Sequence, residues 1–135
     1  MSEEKMEGGC LCGAIRYSVS GAPFAAEYCH CRMCQKSAGA VVANWMDFQI
    51  DQVTWTSGKP TEYESSEFVR RGFFAKCGST LSFRHTRYPN YLTLAIASLD
   101  DPNLVKPTYH IYVESQVDWF KVDDDCKRFP QGPEK

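Results

Sequence analysis

The chain has 135 residues, enough for one domain with a real core. Its 43% hydrophobic and 24% charged residues are the composition of a soluble globular fold. A net charge of −2 excludes the basic footprint that nucleic-acid backbones require, and no apolar run approaches the roughly 18 residues of a membrane span.

The opening MSEEKMEGG is acidic and polar, unlike the basic start of a secretory leader, so the expected location is the cytoplasm. Next, in AIRYSVS (14–20), Ile15, Tyr17 and Val19 alternate with polar neighbours and mark one buried strand face. A short helix is expected from about Met33 to Ala38, with Gly39 placed to end it. Residues 40–48, 52–55, 61–65, 67–74, 80–85, 91–98 and 108–115 are rich in β-branched and aromatic residues and read as strands. Turn signals at Ser57-Gly58-Lys59-Pro60, Tyr88-Pro89-Asn90 and Asp100-Asp101-Pro102-Asn103 separate them. The final DDDCKRFPQGPEK is polar and expected to lie over the surface or fray. The pattern is that of a single all-β domain over 1–135, a sandwich or open barrel of antiparallel sheets with one very short helix. Its core runs from about 8 to 129, with polar tails at both ends.

Seven cysteines in close C-x-C and C-x-x-C pairs suit a metal in a reducing compartment better than a disulfide framework. Two groups stand out: Cys10 and Cys12 with the distant Cys77, and Cys29, Cys31 and Cys34. Gly9, Gly13 and Gly78 allow the tight turns of a metal knuckle and leave amides free to face sulfur. Zinc suits such thiolate sites, and iron–sulfur is the weaker alternative because its four-cysteine spacing is absent.

The stretches GGCLCGAIRY, CHCRMCQKSAG, RGFFAKCGS and HIYVESQVDWF, in that order, resemble the glutathione-dependent formaldehyde-activating enzyme family, which includes centromere protein V. The resemblance extends from about Gly8 to Phe129. It implies a zinc-bearing β-tent, the fold shared with cereblon's ligand-binding domain and B-type methionine sulfoxide reductases. It further implies a structural zinc on Cys10, Cys12 and Cys77 with a fourth ligand at position 74. Here that residue is Phe74, which cannot ligate, so an occupied second zinc is doubtful. Cys126 is a minor candidate to replace it. The implied catalytic zinc sits on Cys29, Cys31 and Cys34, and three protein ligands leave a position open for water or substrate.

The implied activity is a zinc-dependent carbon–sulfur lyase acting on a thiol–aldehyde adduct such as S-hydroxymethylglutathione, with a small glutathione-like thiol as partner. The alternative is a non-enzymatic zinc-stabilised β module that binds a partner protein. Nothing in the sequence sets an oligomeric state. His30 is expected to point away from the metal, and His110 to be a packed strand histidine whose catalytic role the resemblance raises modestly. Trp45, Trp55 and Trp119 are expected in the core. Arg70 and Arg71 read as solvated charges within reach of a substrate carboxylate, and His85 carries no signal.

Overall fold

Strands with one buried face and strands buried on both faces together make this architecture. The computed structural model describes residues 4–132; residues 1–3 and 133–135 of the expected polar tails lie outside them. In chain order come β1 (Lys5–Gly9), β2 (Arg16–Ser20), β3 (Ala25–Cys29), α1 (Arg32–Ala38), β4 (Ala43–Gln49), β5 (Val53–Ser57), β6 (Thr61–Glu64), β7 (Val69–Phe73), β8 (Thr80–His85), β9 (Tyr91–Ala95), β10 (Tyr109–Ile111) and β11 (Lys127–Arg128). The sheets are β1-β2-β5 and β11-β10-β3-β4-β9-β8-β7-β6. The fold is therefore all-β with one short helix, as expected, and Gly39 ends that helix in the left-handed conformation.

The small sheet covers the middle of the large one. Tyr17 and Val19 of β2 pack on Met46 and Phe48 of β4 and on Leu92 and Leu94 of β9. Phe48 pairs with Leu92 and Met46 with Leu94 across the strands, so the four project to one face. Tyr17 is fully buried and its hydroxyl meets Ser98 Oγ at 2.6 Å, which satisfies the group the core encloses. The opposite face of β4 carries Trp45 and Asp47, also buried. This double burial explains why residues 40–48 lack clean alternation.

Several expectations need correction. β10 runs parallel to both β3 and β11, so the large sheet is mixed. After β9 the chain crosses over through 3-10 turns at Ile96–Ser98 and Pro102–Leu104, and a crossover re-enters parallel where a hairpin would not. The expected strands 91–98 and 108–115 end early for the same reason: their second halves are 3-10 turns. The polar start forms β1, paired with β2, and the tail forms β11. Trp119 is 75% exposed and not in the core, because residues 116–126 cross the surface with no ladder to hold them against it. Trp45 is buried and Trp55 packs partly against the core. Among the described residues no helix is long and apolar enough to cross a membrane.

Candidate metal centre and active-site cleft

Cys29 is the last residue of β3, Cys31 caps α1, and Cys34 lies in the first turn of that helix. Cys31 has extended backbone, and its sulfur accepts the Cys34 amide at 3.3 Å. A strand end followed at once by a capped helix thus turns three side chains inward. Their sulfurs all lie within 4.8 Å of one another. Cys29 and Cys34 are buried. As bare thiols the three bond to one another. Hydrogen bonds, first from Cys29 and then from Cys34, lower the Cys31 thiol, while the bond it makes to Cys31 pushes Cys29 up. Three soft donors at this spacing, with no fourth His, Cys, Asp or Glu joining them among the described residues, fit zinc with one position open.

Arg71 departs from the surface role expected of it. It is 8% exposed, and its guanidinium donates to Cys34 Sγ at 3.5 Å, to Ser37 Oγ at 3.3 Å and to Ser65 Oγ at 3.2 Å. It also lies over the Phe83 ring at 5.1 Å. Arg70 keeps to the surface, paired with Glu64. His85 stacks on Phe68 away from the trio.

Behind the cysteine loop runs a chain of polar groups. His30 does point away from the sulfurs, but into the protein, where Nε2 meets His110 Nδ1 at 2.8 Å. His110 is 1% exposed, and its Nε2 faces Asp124 Oδ2 at 3.0 Å. With His110 Nε2–H donating to the carboxylate, its Nδ1 accepts from His30. This bond from His110 is the main cause holding the Asp124 carboxyl well below the ordinary range. Gln35 adds a second clamp, donating to the His30 carbonyl at 2.8 Å. Nothing in the sequence distinguishes Asp124, one of three consecutive aspartates. Replacing His110 by phenylalanine preserves bulk but strands the buried His30 nitrogen. The expected loss is on the order of 1–3 kcal/mol in chemical denaturation, with metal affinity lowered roughly tenfold or more. Unchanged metal affinity sinks the buttress role.

The trio opens onto a cleft of about 390 Å³. Trp45, Phe83 and Ile111 make apolar walls, and Glu27, Asp47 and Thr93 make a polar floor. Tyr112, also on the wall, is the one non-glycine residue with positive φ among the described residues, at 58°. Burial, reinforced by the Asp47 charge, pushes the Glu27 carboxyl up to about 9, and burial likewise raises Asp47. Thr93 Oγ1 donates to Asp47 Oδ1 at 2.6 Å, whereas Glu27 Oε2 has no partner. None of these floor residues was identified from sequence.

Cys10, Cys12 and Cys77 form a second trio, again within 4.8 Å. The glycine after each turn cysteine is left-handed, Gly13 at φ 82° and Gly78 at φ 79°, a conformation a side chain resists. The Ile15 amide donates to Cys10 Sγ at 3.3 Å. The Ser79 hydroxyl is the main cause holding the Cys77 thiol down to about 6. Phe74 opens the turn, its carbonyl accepting from the Gly78 amide, but its ring packs with Cys10, Ile15 and Leu81. Cys126 does not replace the missing ligand; it lies beside Pro107 and Asp124, in neither trio. Phe74→Cys should therefore cost the metal-free protein about 2 kcal/mol of packing, Phe74 being half-buried. A completed four-sulfur zinc site returns more than that. Zinc release to a chelator should slow at least tenfold. Equal release rates would show that the thiol does not reach.

Similarity to known proteins bears on this site and fold. A family model described as glutathione-dependent formaldehyde-activating enzyme matches residues 5–115, which include both trios. A Halomonas elongata protein whose name gives the same enzyme description is 29% identical over 128 residues, 87% of this chain and 81% of its own length. An uncharacterized lyase of Schizosaccharomyces pombe is 33% identical over 86 residues, 62% of this chain and 61% of its own. The crystal structure of a Rhodobacter sphaeroides protein is similar with a TM-score of 0.61 at 20% identity. It covers 76% of this chain and 97% of that one, and bears on the fold alone.

Proposed function

Because the chain belongs to the glutathione-dependent formaldehyde-activating enzyme family, we propose that it is a zinc-dependent carbon–sulfur lyase acting on a thiol–aldehyde adduct. The lyase-like, formaldehyde-activating character follows from the family; zinc and an adduct such as S-hydroxymethylglutathione are the finer proposal. The observation that carries it is the Cys29–Cys31–Cys34 trio, three donors and not four, opening onto a cleft. A zinc ion held there supplies Lewis acidity and keeps a substrate thiol deprotonated near neutral pH. Trp45, Phe83 and Ile111 exclude water from the reacting carbon. Arg71, fixed by Ser37 and Ser65, places positive charge beside Cys34 and steadies negative charge on the sulfurs. In cleavage the adduct's hydroxyl proton passes to solvent, its oxygen forms the carbonyl, and the C–S electron pair leaves with sulfur as thiolate. The reverse is attack of the thiolate on the aldehyde.

All seven cysteines are free, which suits a reducing compartment such as the cytoplasm. A partner-binding module has less support, since its metal cluster would be closed and this one faces a cleft.

The test is spectroscopic. Cobalt loaded into the site should change its visible spectrum when glutathione or another small thiol is added, and a Cys31→Ser, Cys34→Ser variant should not respond. The reading is abandoned if no thiol perturbs the spectrum and no thiol adduct is turned over.

A further inference from the structure

We propose that Glu27 and Asp47, on the floor of the cleft, form a subsite for the protonated amine of the substrate thiol, so that the preferred thiol is a small aminothiol. The inference rests on the reading that the cysteine trio receives a substrate thiol.

Placement comes first. Glu27 and Cys29 are two residues apart on β3, and both line the cleft. Alternate residues of a strand share a face at about 6–7 Å. Asp47 reaches the same floor from β4, whose Trp45 pairs directly with Glu27. A sulfur at the trio and a nitrogen at the carboxyls are thus joined by a spacer of only a few atoms.

The second observation is unmet hydrogen bonding. Glu27 is 8% exposed, lines the cleft, and its Oε2 has no donor. Asp47 is 9% exposed, accepts from Thr93, and has the Glu27 carboxyl as its other hydrogen-bonding neighbour. No Lys, Arg or His pairs with either carboxyl among the described residues. Arg71, the buried cation of the cleft, is committed to Cys34 and its serines. The floor therefore holds two buried carboxyls that face each other and, among the described residues, no cation, with Thr93 donating to Asp47. A hydroxyl or amide brings one or two donors and no charge, whereas an ammonium brings three donors and the missing charge. A carboxyl pair buried without a cation costs stability, and a ligand amine accounts for its presence.

The experiment is titration calorimetry on zinc-loaded protein with cysteamine, 2-mercaptoethanol, 3-mercaptopropionate and glutathione. Thiol acidity differs among them, so the quantity read is the change each shows between wild type and the near-isosteric Glu27→Gln, Asp47→Asn double variant, in which acidity cancels. Cysteamine should lose roughly tenfold or more in affinity, while 2-mercaptoethanol stays within about twofold. A second measurement needs no variant: acetylating the amine of cysteamine should weaken binding to wild type about tenfold beyond the effect of thiol acidity. Equal changes for both thiols, or none for cysteamine, overturn the amine subsite and leave the lyase reading standing. Failure of every thiol to bind wild type overturns both.

Discussion

Cys31→Ser should empty the Cys29–Cys31–Cys34 site and lower turnover of a thiol–aldehyde adduct by about a thousandfold. Two thiolates and a neutral hydroxyl cannot hold zinc against competing water as three thiolates do. The electrostatic stabilisation that a metal gives a developing charge is several kcal/mol, and about 4 kcal/mol is a thousandfold in rate. The particular cysteine matters. Cys31 caps α1 and accepts the Cys34 amide, so it ties the metal loop to the helix start. A serine oxygen can keep the cap, so the helix and fold should survive the change. Loss of about one zinc per chain by elemental analysis, with an unchanged thermal transition of the metal-free protein, is the expected pair of results. Full activity with the metal gone would exclude a catalytic role for this trio.

The parts of this site that could be read from sequence are those that are local. Cys29, Cys31 and Cys34 fall within six residues, so spacing alone implied convergence. The second trio joins Cys10 and Cys12 to a residue 65 positions later, yet it remained legible because Cys12-Gly13 and Cys77-Gly78 repeat one left-handed turn. Likewise Ile15, Tyr17 and Val19 announced their strand by alternation, and all three are buried.

What stayed hidden depends on partners far away in sequence. β3, AAEYC, has no apolar alternation, because one face needs only Ala26 while the other carries Glu27 and Cys29 to the cleft. Glu27 and Asp47 look like ordinary surface carboxylates until β4 is seen at the centre of the large sheet. Arg71 reads as solvated beside Arg70, and strand parity separates them, one facing Glu64 at the surface and the other Cys34. Asp124 cannot be told from its aspartate neighbours until β11 pairs parallel with β10 and brings the tail beneath His110. Trp119 shows the opposite failure. A large aromatic residue near a strand was expected inside, but the sandwich is closed without it.

Glu27→Gln should stabilise the protein at alkaline pH and leave it nearly unchanged near pH 4. The Glu27 carboxyl is pushed up to about 9 in the folded state, chiefly by burial, with Asp47 adding to it. An unfolded chain returns it to about 4.3. The folded protein therefore holds a proton that the unfolded chain gives up. Stability from this group is fully present below the unfolded value and is lost as pH rises from about 4 through about 9. Asp47, also raised by burial, acts in the same direction, so the pair deepens the loss. Glutamine keeps the shape and carries no charge at any of these values. Its advantage should grow to roughly 1–3 kcal/mol by pH 8.5, the cost commonly found for a buried polar group left without a partner. Thiolate–metal ligation also depends on pH, but it acts on wild type and variant alike and cancels in their difference when both carry the same metal. Urea denaturation of the two proteins at intervals from pH 4 to 9 reads this directly. The expected curves meet at the acid end and diverge as pH rises. Parallel curves would mean that Glu27 is no more proton-hungry folded than unfolded, and the dry, donor-poor floor described above would be wrong.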